Sequence, residues 1–200
     1  MTYVVCSDFE SVLIPETWIS IAEKTGIKDL KLTTRDISDF DELMQKRLSI
    51  INENNFTISD LQKYIDNELP YDGSTEFVSW IQNKTEFNIV SGIFEEFAKP
   101  FLAKLGTPKL YCNNFKIDNE GKITGYLINK SSNKKEVVKS LKNKGLKVIA
   151  FGDSYNDLEM INTADVGFLF NPSEKIQKEY PEIPVARNFK EAKEILSKYI

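Results

Sequence analysis

Tyr3-Val4-Val5-Cys6-Ser7-Asp8-Phe9-Glu10-Ser11 opens the chain with four successive apolar residues closed by a polar, acidic turn. A run this short, apolar at every position instead of every second one, reads as a strand buried on both faces. Strands of that kind belong to parallel sheets covered by helices. Four similar runs follow: Phe87-Asn88-Ile89-Val90, Leu110-Tyr111-Cys112, Val148-Ile149-Ala150-Phe151 and Val166-Gly167-Phe168-Leu169-Phe170. Helical spacing fills the gaps. Phe77, Trp80 and Ile81 share one face, as do Ile93, Phe97, Phe101 and Leu102, then Val137, Val138 and Leu141. Residues 173–183 fit neither period well, and Phe189, Ala192, Ile195, Leu196 and Tyr199 make a closing stripe. Strands alternating with helices of this length predict an α/β fold with a doubly wound parallel sheet.

Two stretches depart from the alternation. Residues 113–128 alternate polar and apolar across Asn119-Glu120-Gly121-Lys122, a hairpin signature. From about Pro15 to Leu69 helical patterns run consecutively with no buried strand between them. Trp18, Ile21 and Ala22 form one face, Leu43 to Ile51 another, and Thr57-Ile58-Ser59-Asp60 opens a third helix. The expected organisation is therefore a sheet domain of residues 1–14 and 70–200, with residues 15–69 as a small helical cap inserted after strand 1, over the C-terminal edge of the sheet.

Composition narrows the chemistry. The 200 residues carry 26 basic and 30 acidic side chains, net −4, with 41% hydrophobic residues. That balance lets the chain bury a core and lacks the basic footprint of a nucleic-acid binder. No apolar run approaches the roughly 18–20 residues of a membrane span. The N-terminus has no basic segment before Asp8, so a soluble, cytoplasmic protein is expected. There are no histidines and two cysteines, Cys6 and Cys112, which read as packing. Ser-His-Asp and Cys-His catalysis and histidine-ligated metals are excluded. Carboxylates, lysines, hydroxyls and oxygen-bound cations remain.

In an open α/β sheet, ligands bind beyond the carboxyl ends of the strands. Strand 1 ends at Asp8-Phe9-Glu10-Ser11, the Phe87 strand at Ser91-Gly92, and the Val148 strand at Gly152-Asp153-Ser154-Tyr155-Asn156-Asp157. A helix beginning near Asn133 carries Lys134 and Lys135 in its first turn. Asp8 and Asp153, from two strands, converge. Two anions held together repel unless a hard cation joins them, and Mg²⁺ is the expected one. Ser91, the Gly92 amide and a lysine then face the remaining oxygens of a phosphate. Without histidine, Asp8 is the natural nucleophile, splitting one phosphoryl transfer into two steps. Glu10 returns to the site across the turn as general acid and base. Taken singly, each feature has a plainer reading as a turn, a helix cap or a solvated lysine. Their order along the chain, all at one sheet edge, favours the catalytic reading.

In that order the elements resemble the haloacid dehalogenase-like (HAD) superfamily, a Rossmannoid core with a cap. Within it the chain is most similar to the phosphoserine phosphatases, particularly their phosphoserine–homoserine phosphotransferase branch. The resemblance spans the chain and rests on Asp8-Phe9-Glu10-Ser11-Val12-Leu13, Glu23-Lys24-Thr25-Gly26-Ile27, Thr33-Thr34-Arg35-Asp36-Ile37 and Gly152-Asp153-Ser154-Tyr155-Asn156-Asp157. It implies Asp8 as nucleophile and Mg²⁺ ligand, with Glu10 giving the metal its backbone carbonyl and handling protons. It also implies Asp153 on Mg²⁺, Ser91 and Lys134 on the phosphoryl group, and Asn156 and Asp157 in support, Asn156 toward the substrate. Lys134 is preferred to Lys135 on its Lys-x-Glu alignment, and a homodimer is suggested by resemblance alone. The superfamily's usual second aspartate is Glu10 here, as in the homoserine-transferring branch; its extra methylene bears on whether water or an alcohol accepts the phosphoryl group.

The insert adds two charges. On a helical wheel, Arg47 falls amid Leu43, Met44, Leu48, Ile50 and Ile51, and an inward guanidinium needs an anion. Asp36, Asp39 or Asp41 can supply one internally; alternatively Arg47 clamps a substrate carboxylate, as a cap arginine is thought to do in the phosphoserine phosphatases. Glu16 matches the residue that meets the substrate's ammonium group there, and otherwise reads as an acid favoured at a helix N-terminus. Together they fit an amino-acid zwitterion. The expected activity is a Mg²⁺-dependent phosphoserine phosphatase with transfer to water or homoserine. The alternative is a HAD-type phosphatase of another small phosphomonoester, such as a sugar phosphate. A receiver-type phosphoacceptor domain would lack the helical insert, and a degenerate binding module would not fill every motif position.

Overall fold

The structure is a computed structural model that describes residues 2–34, 36–37 and 39–200; Arg35, part of one motif quoted above, lies outside them. Chain order is β1 (Tyr3–Ser7), α1 (Thr17–Thr25), α2 (Phe40–Glu53), α3 (Ile58–Ile65), α4 (Ser74–Gln82), β2 (Phe87–Phe94), α5 (Glu95–Lys104), β3 (Lys109–Ile117), β4 (Ile123–Leu127), α6 (Lys134–Asn143), β5 (Lys147–Gly152), α7 (Leu158–Thr163), β6 (Val166–Phe170), α8 (Glu174–Glu179), β7 (Val185–Ala186) and α9 (Phe189–Leu196). The strands form one seven-stranded sheet in the order β4-β3-β2-β1-β5-β6-β7. All pairs are parallel except β3 with β4. The α/β fold expected from the alternating runs is the fold observed.

Period-two geometry splits β1 between two cores. Val5 joins Ile89, Ile149, Phe77, Phe97 and Phe151 on one face. Val4 and Cys6 join Val90, Val148 and Ala150 under Val137, Val138 and Leu141 of α6 on the other. Every one of these side chains is buried, as the uninterrupted apolar runs require. Among the described residues no helix is long and apolar enough to cross a membrane.

Three local readings are corrected. The Phe87 run does not stop before Ser91-Gly92: β2 continues through a register irregularity to Phe94. Ile93, read as helical, is therefore a buried strand residue, and α5 begins only at Glu95. Leu110–Cys112 and the first hairpin arm are one strand, β3, parallel to β2 at its start and antiparallel to β4 at its end. A strand leaving one partner for another shows no break in its side-chain alternation, so the junction left no mark. The ambiguous stretch after Ser173 contains α8, capped by the Ser173 hydroxyl.

Helices α1–α3 follow β1 directly. Thr57 and Asp60 form the reciprocal capping box of α3, and Gly26, at φ 74°, closes α1 in the left-handed conformation that glycine adopts without strain. The β3–β4 hairpin holds this insert from the side. Ile58 N–H donates to the Gly121 carbonyl at 2.9 Å, the Tyr126 hydroxyl donates to Asp41 at 2.6 Å, and the Phe40 and Tyr126 rings meet edge to face.

Candidate active site

Asp8 follows β1 immediately, and its N–H donates to the Phe151 carbonyl of β5 at 3.0 Å, which holds it at the carboxyl edge of the sheet. The next residues fold back sharply. Ser11 N–H donates to the Ile14 carbonyl at 2.8 Å, and Ser11 stands at φ 61°, strained for a residue with a side chain. Such strain is stored where a turn must re-aim functional groups.

Around Asp8 the carboxylates gather. One oxygen each of Asp8, Asp153 and Asp157 lie within 4.8 Å of one another. Lys134 Nζ sits 2.9 Å from Asp8 Oδ1 and 2.5 Å from Asp157 Oδ1. Asp157, fully buried, also accepts from the Ser154 N–H at 2.9 Å and its hydroxyl at 3.0 Å. Asp8 Oδ1 further accepts from the Phe9 N–H at 2.7 Å. Lys135, by contrast, is exposed and pairs with Glu159. Successive helical residues point about 100° apart, so only Lys134 reaches the cluster.

The electrostatics leave a surplus of negative charge: three carboxylates face one ammonium. Burial, offset by Lys134 and reinforced by Asp157 and Asp153, pushes Asp8 up to about 7. Burial and Asp157 push Asp153 up to about 6. Lys134 is held above its ordinary value by Asp157 and Asp8 despite its burial. An all-oxygen, anionic donor set with one unmatched pair of charges fits a hard divalent cation.

Asp8, Lys134 and Asp153 form the floor of a cavity of about 190 Å³ also lined by Glu10, Glu16, Arg47, Ser91, Gly92 and Asn156. All ten site residues chosen from the sequence, bar Asp157, thus border one space, and Asp157 lies directly behind it. Ser91 is buried in β2, where its hydroxyl accepts from the Ile93 N–H. Glu10 Oε1 accepts from both the N–H and the hydroxyl of Thr17, at 2.8 and 2.7 Å. Glu16 stands at the N-terminus of α1 but makes no cap; its carboxylate accepts from the Ser11 hydroxyl at 3.1 Å.

Arg47 is buried on α2, its guanidinium 4.6 Å from the Trp18 ring centroid and donating to the Leu32 carbonyl at 2.7 Å. Its Nε has no partner among the described residues. Among the described residues no ion pair joins Arg47 to these acids: Asp39 caps α2, Asp41 accepts from Tyr126, and Asp36 accepts from Thr33. The charges that face Arg47 are Glu10 and Glu16, and burial pulls it down to about 10.

Sequence reasoning missed Ser11, Thr17, Trp18, Thr34 and Phe40, which also line the cavity. Trp18 was visible only as part of an apolar face. A second, more open groove of about 690 Å³ adjoins the cavity, sharing Thr34, Phe40, Gly92, Lys134 and Asn156 with it.

The chain is similar to several known proteins. The model of the haloacid dehalogenase-like hydrolases matches residues 8–165. The phosphoserine phosphatase ThrH of Pseudomonas aeruginosa is 40% identical over 190 residues, 95% of this chain and 93% of that protein. A phosphoserine phosphatase of Lactococcus lactis is 29% identical over 82% of this chain and 81% of its own. Among solved structures, a phospho-aspartyl intermediate analogue of phosphoserine phosphatase superposes with a TM-score of 0.76 at 26% identity, covering 100% of this chain and 99% of the other. An apo phosphoserine phosphatase superposes at 0.77 and 24% identity over the whole of both chains, a likeness of fold.

Proposed function

The chain belongs to the haloacid dehalogenase-like hydrolases, in the phosphoserine phosphatase family, and is a phosphomonoester hydrolase; from that premise we propose that it takes the phosphoryl group of L-phosphoserine onto Asp8 and passes it to water or to homoserine. The observation that carries the substrate reading is the pair of opposite charges across one cavity from Asp8. Arg47 matches a carboxylate and Glu16 an ammonium group, while Lys134, Ser91 and Gly92 surround the position of the phosphate. Residues 15–69 serve as the cap that brings those two charges over the sheet edge.

The chemistry runs in two halves. Asp8 Oδ attacks phosphorus, the ester P–O bond breaks, and the electron pair leaves on the serine oxygen, which takes a proton from the Glu10 carboxyl. Water or the homoserine hydroxyl then gives its proton back to Glu10 as its oxygen bonds to phosphorus and the Asp8–phosphorus link breaks. Lys134 balances the Asp8 carboxylate before attack and the phosphoryl oxygens afterwards. Asp8, Asp153 and the Glu10 carbonyl, with Asp157 behind them, would hold a Mg²⁺ ion, which when bound would supply counter-charge to the carboxylate and the phosphate.

Arg47→Ala tests the substrate. The KM for L-phosphoserine is expected to rise about a hundredfold, as loss of a buried charge-assisted pair implies, while p-nitrophenyl phosphate changes less than about threefold. Equal kinetics on both would favour the sugar-phosphate alternative, whose alcohol part lacks the carboxylate.

Chelation tests the cation. Protein dialysed against EDTA should lose phosphoserine turnover, and Mg²⁺ should restore it and raise the melting temperature by a few degrees. The upward shifts fix the sign of the pH effect: Asp8 and Asp153 must shed protons held to about 7 and about 6, so the Mg²⁺-induced rise should grow from pH 5.5 to 7.5. A flat profile would mean that these carboxylates do not hold the ion.

A further inference from the structure

We propose that Thr17, the first residue of α1, is a positioning residue that pins the Glu10 carboxyl and assigns the travelling proton to its other oxygen, Oε2. The proposal rests on the reading of Glu10 as the proton carrier. Two donors of Thr17, its N–H and its hydroxyl, converge on the single atom Oε1, at 2.8 and 2.7 Å, and Thr17 is 1% exposed. Among the described residues no other hydrogen bond reaches the Glu10 carboxyl, which lines the cavity.

An oxygen that already accepts two hydrogen bonds is a poor place for a proton, so protonated Glu10 carries its hydrogen on Oε2. That atom gives the hydrogen to the departing ester oxygen as the Asp8–phosphorus bond forms. It receives one back from the attacking water or alcohol as that bond breaks.

Two features show that the link is not ordinary helix capping. A threonine serving α1 would sit one residue earlier and accept from an N–H of the first turn, whereas α1 has no side-chain cap at all. The Thr17 hydroxyl instead donates outward, to the turn after β1. A glutamate also has one rotatable bond more than the aspartate usual at this position. Two donors on a rigid helix start remove that freedom and hold the carboxyl in register, as a positioned acid requires.

The leaving group provides the test. Serine departs as an alkoxide that needs a proton, whereas p-nitrophenolate leaves without one. In single turnovers, Thr17→Val should slow serine release from L-phosphoserine at least about tenfold and leave the p-nitrophenolate burst within about threefold of the parent. Thr17→Ser, which keeps the hydroxyl, should match the parent on both esters. Equal losses on both esters, no loss on phosphoserine, or failure of serine to rescue would overturn the proposal. If the valine variant does not fold, as judged by its circular-dichroism melt, Thr17→Ala is read against Thr17→Ser by the same two bursts. Glu10→Gln separates the two readings: unchanged serine release there removes Glu10 as proton carrier, whereas a loss there, with Thr17 variants blind to the leaving group, removes only the role of Thr17.

Discussion

Asp8→Asn is expected to lower phosphoserine turnover by about 10⁴-fold or more, because an amide oxygen is no nucleophile at phosphorus and the hydroxyls on the adjoining strands are already engaged. Ser7 and Ser91 are the nearest hydroxyls along their strands. The Ser7 hydroxyl is spent on the Asp8 carbonyl at 2.6 Å, and the Ser91 hydroxyl accepts the Ile93 N–H. The variant should nevertheless be folded. Asp8 is raised to about 7 against an ordinary 3.8, so in the cation-free protein its ionisation opposes folding increasingly as pH climbs between those values. The asparagine removes that opposition, and Lys134 keeps Asp157 as partner. The cation-free variant should therefore melt no lower than the parent at pH 4, and higher by a margin that widens toward pH 7. Residual turnover above a hundredth of the parent's would exclude Asp8 as the phosphoryl acceptor.

Gly152→Ala should be nearly as damaging, for a reason of space. A β-carbon at Gly152 would lie 2.1 Å from Asp157 Cγ and 2.5 Å from its Oδ2. Asp157 cannot step aside cheaply: it is fully buried, and Lys134 and Ser154 hold both its oxygens. Displacing it strands a buried carboxylate and frees Lys134 from its place beside Asp8. A destabilisation of about 2–4 kcal/mol is expected from overpacking and lost charged hydrogen bonds together, read as a fall in urea midpoint at constant slope. Turnover should fall by about a hundredfold even where the variant remains folded, since Lys134 loses its register. A variant as stable and active as the parent would mean that Asp157 has room elsewhere.

Much of this was legible in the residues. Short, mainly apolar runs marked β1, β2, β5 and β6 because both faces of those strands are covered, and the polar motifs at their carboxyl ends fell at one edge because the strands are parallel. What escaped notice depended on contacts between distant segments. The irregularity that carries β2 on to Phe94 leaves no compositional sign, since Ser91-Gly92 looks like a turn. The choice between Lys134 and Lys135 is a matter of helix phase against the sheet. Thr17 and Trp18 read as the start of an ordinary amphipathic helix, although one binds Glu10 and the other lies against Arg47. The glycine of the last motif was visible, but not the buried carboxylate pressed against it.

The hairpin's grip on the insert also bears on how the chain is made. Helices α1–α3 leave the ribosome before the hairpin, and Asp41 and Ile58 find their partners in Tyr126 and Gly121, more than sixty residues downstream. Contacts of such sequence separation form late, after the intervening loop has been closed. The helical segment therefore acquires its final seating only once the strands beyond it have been synthesised.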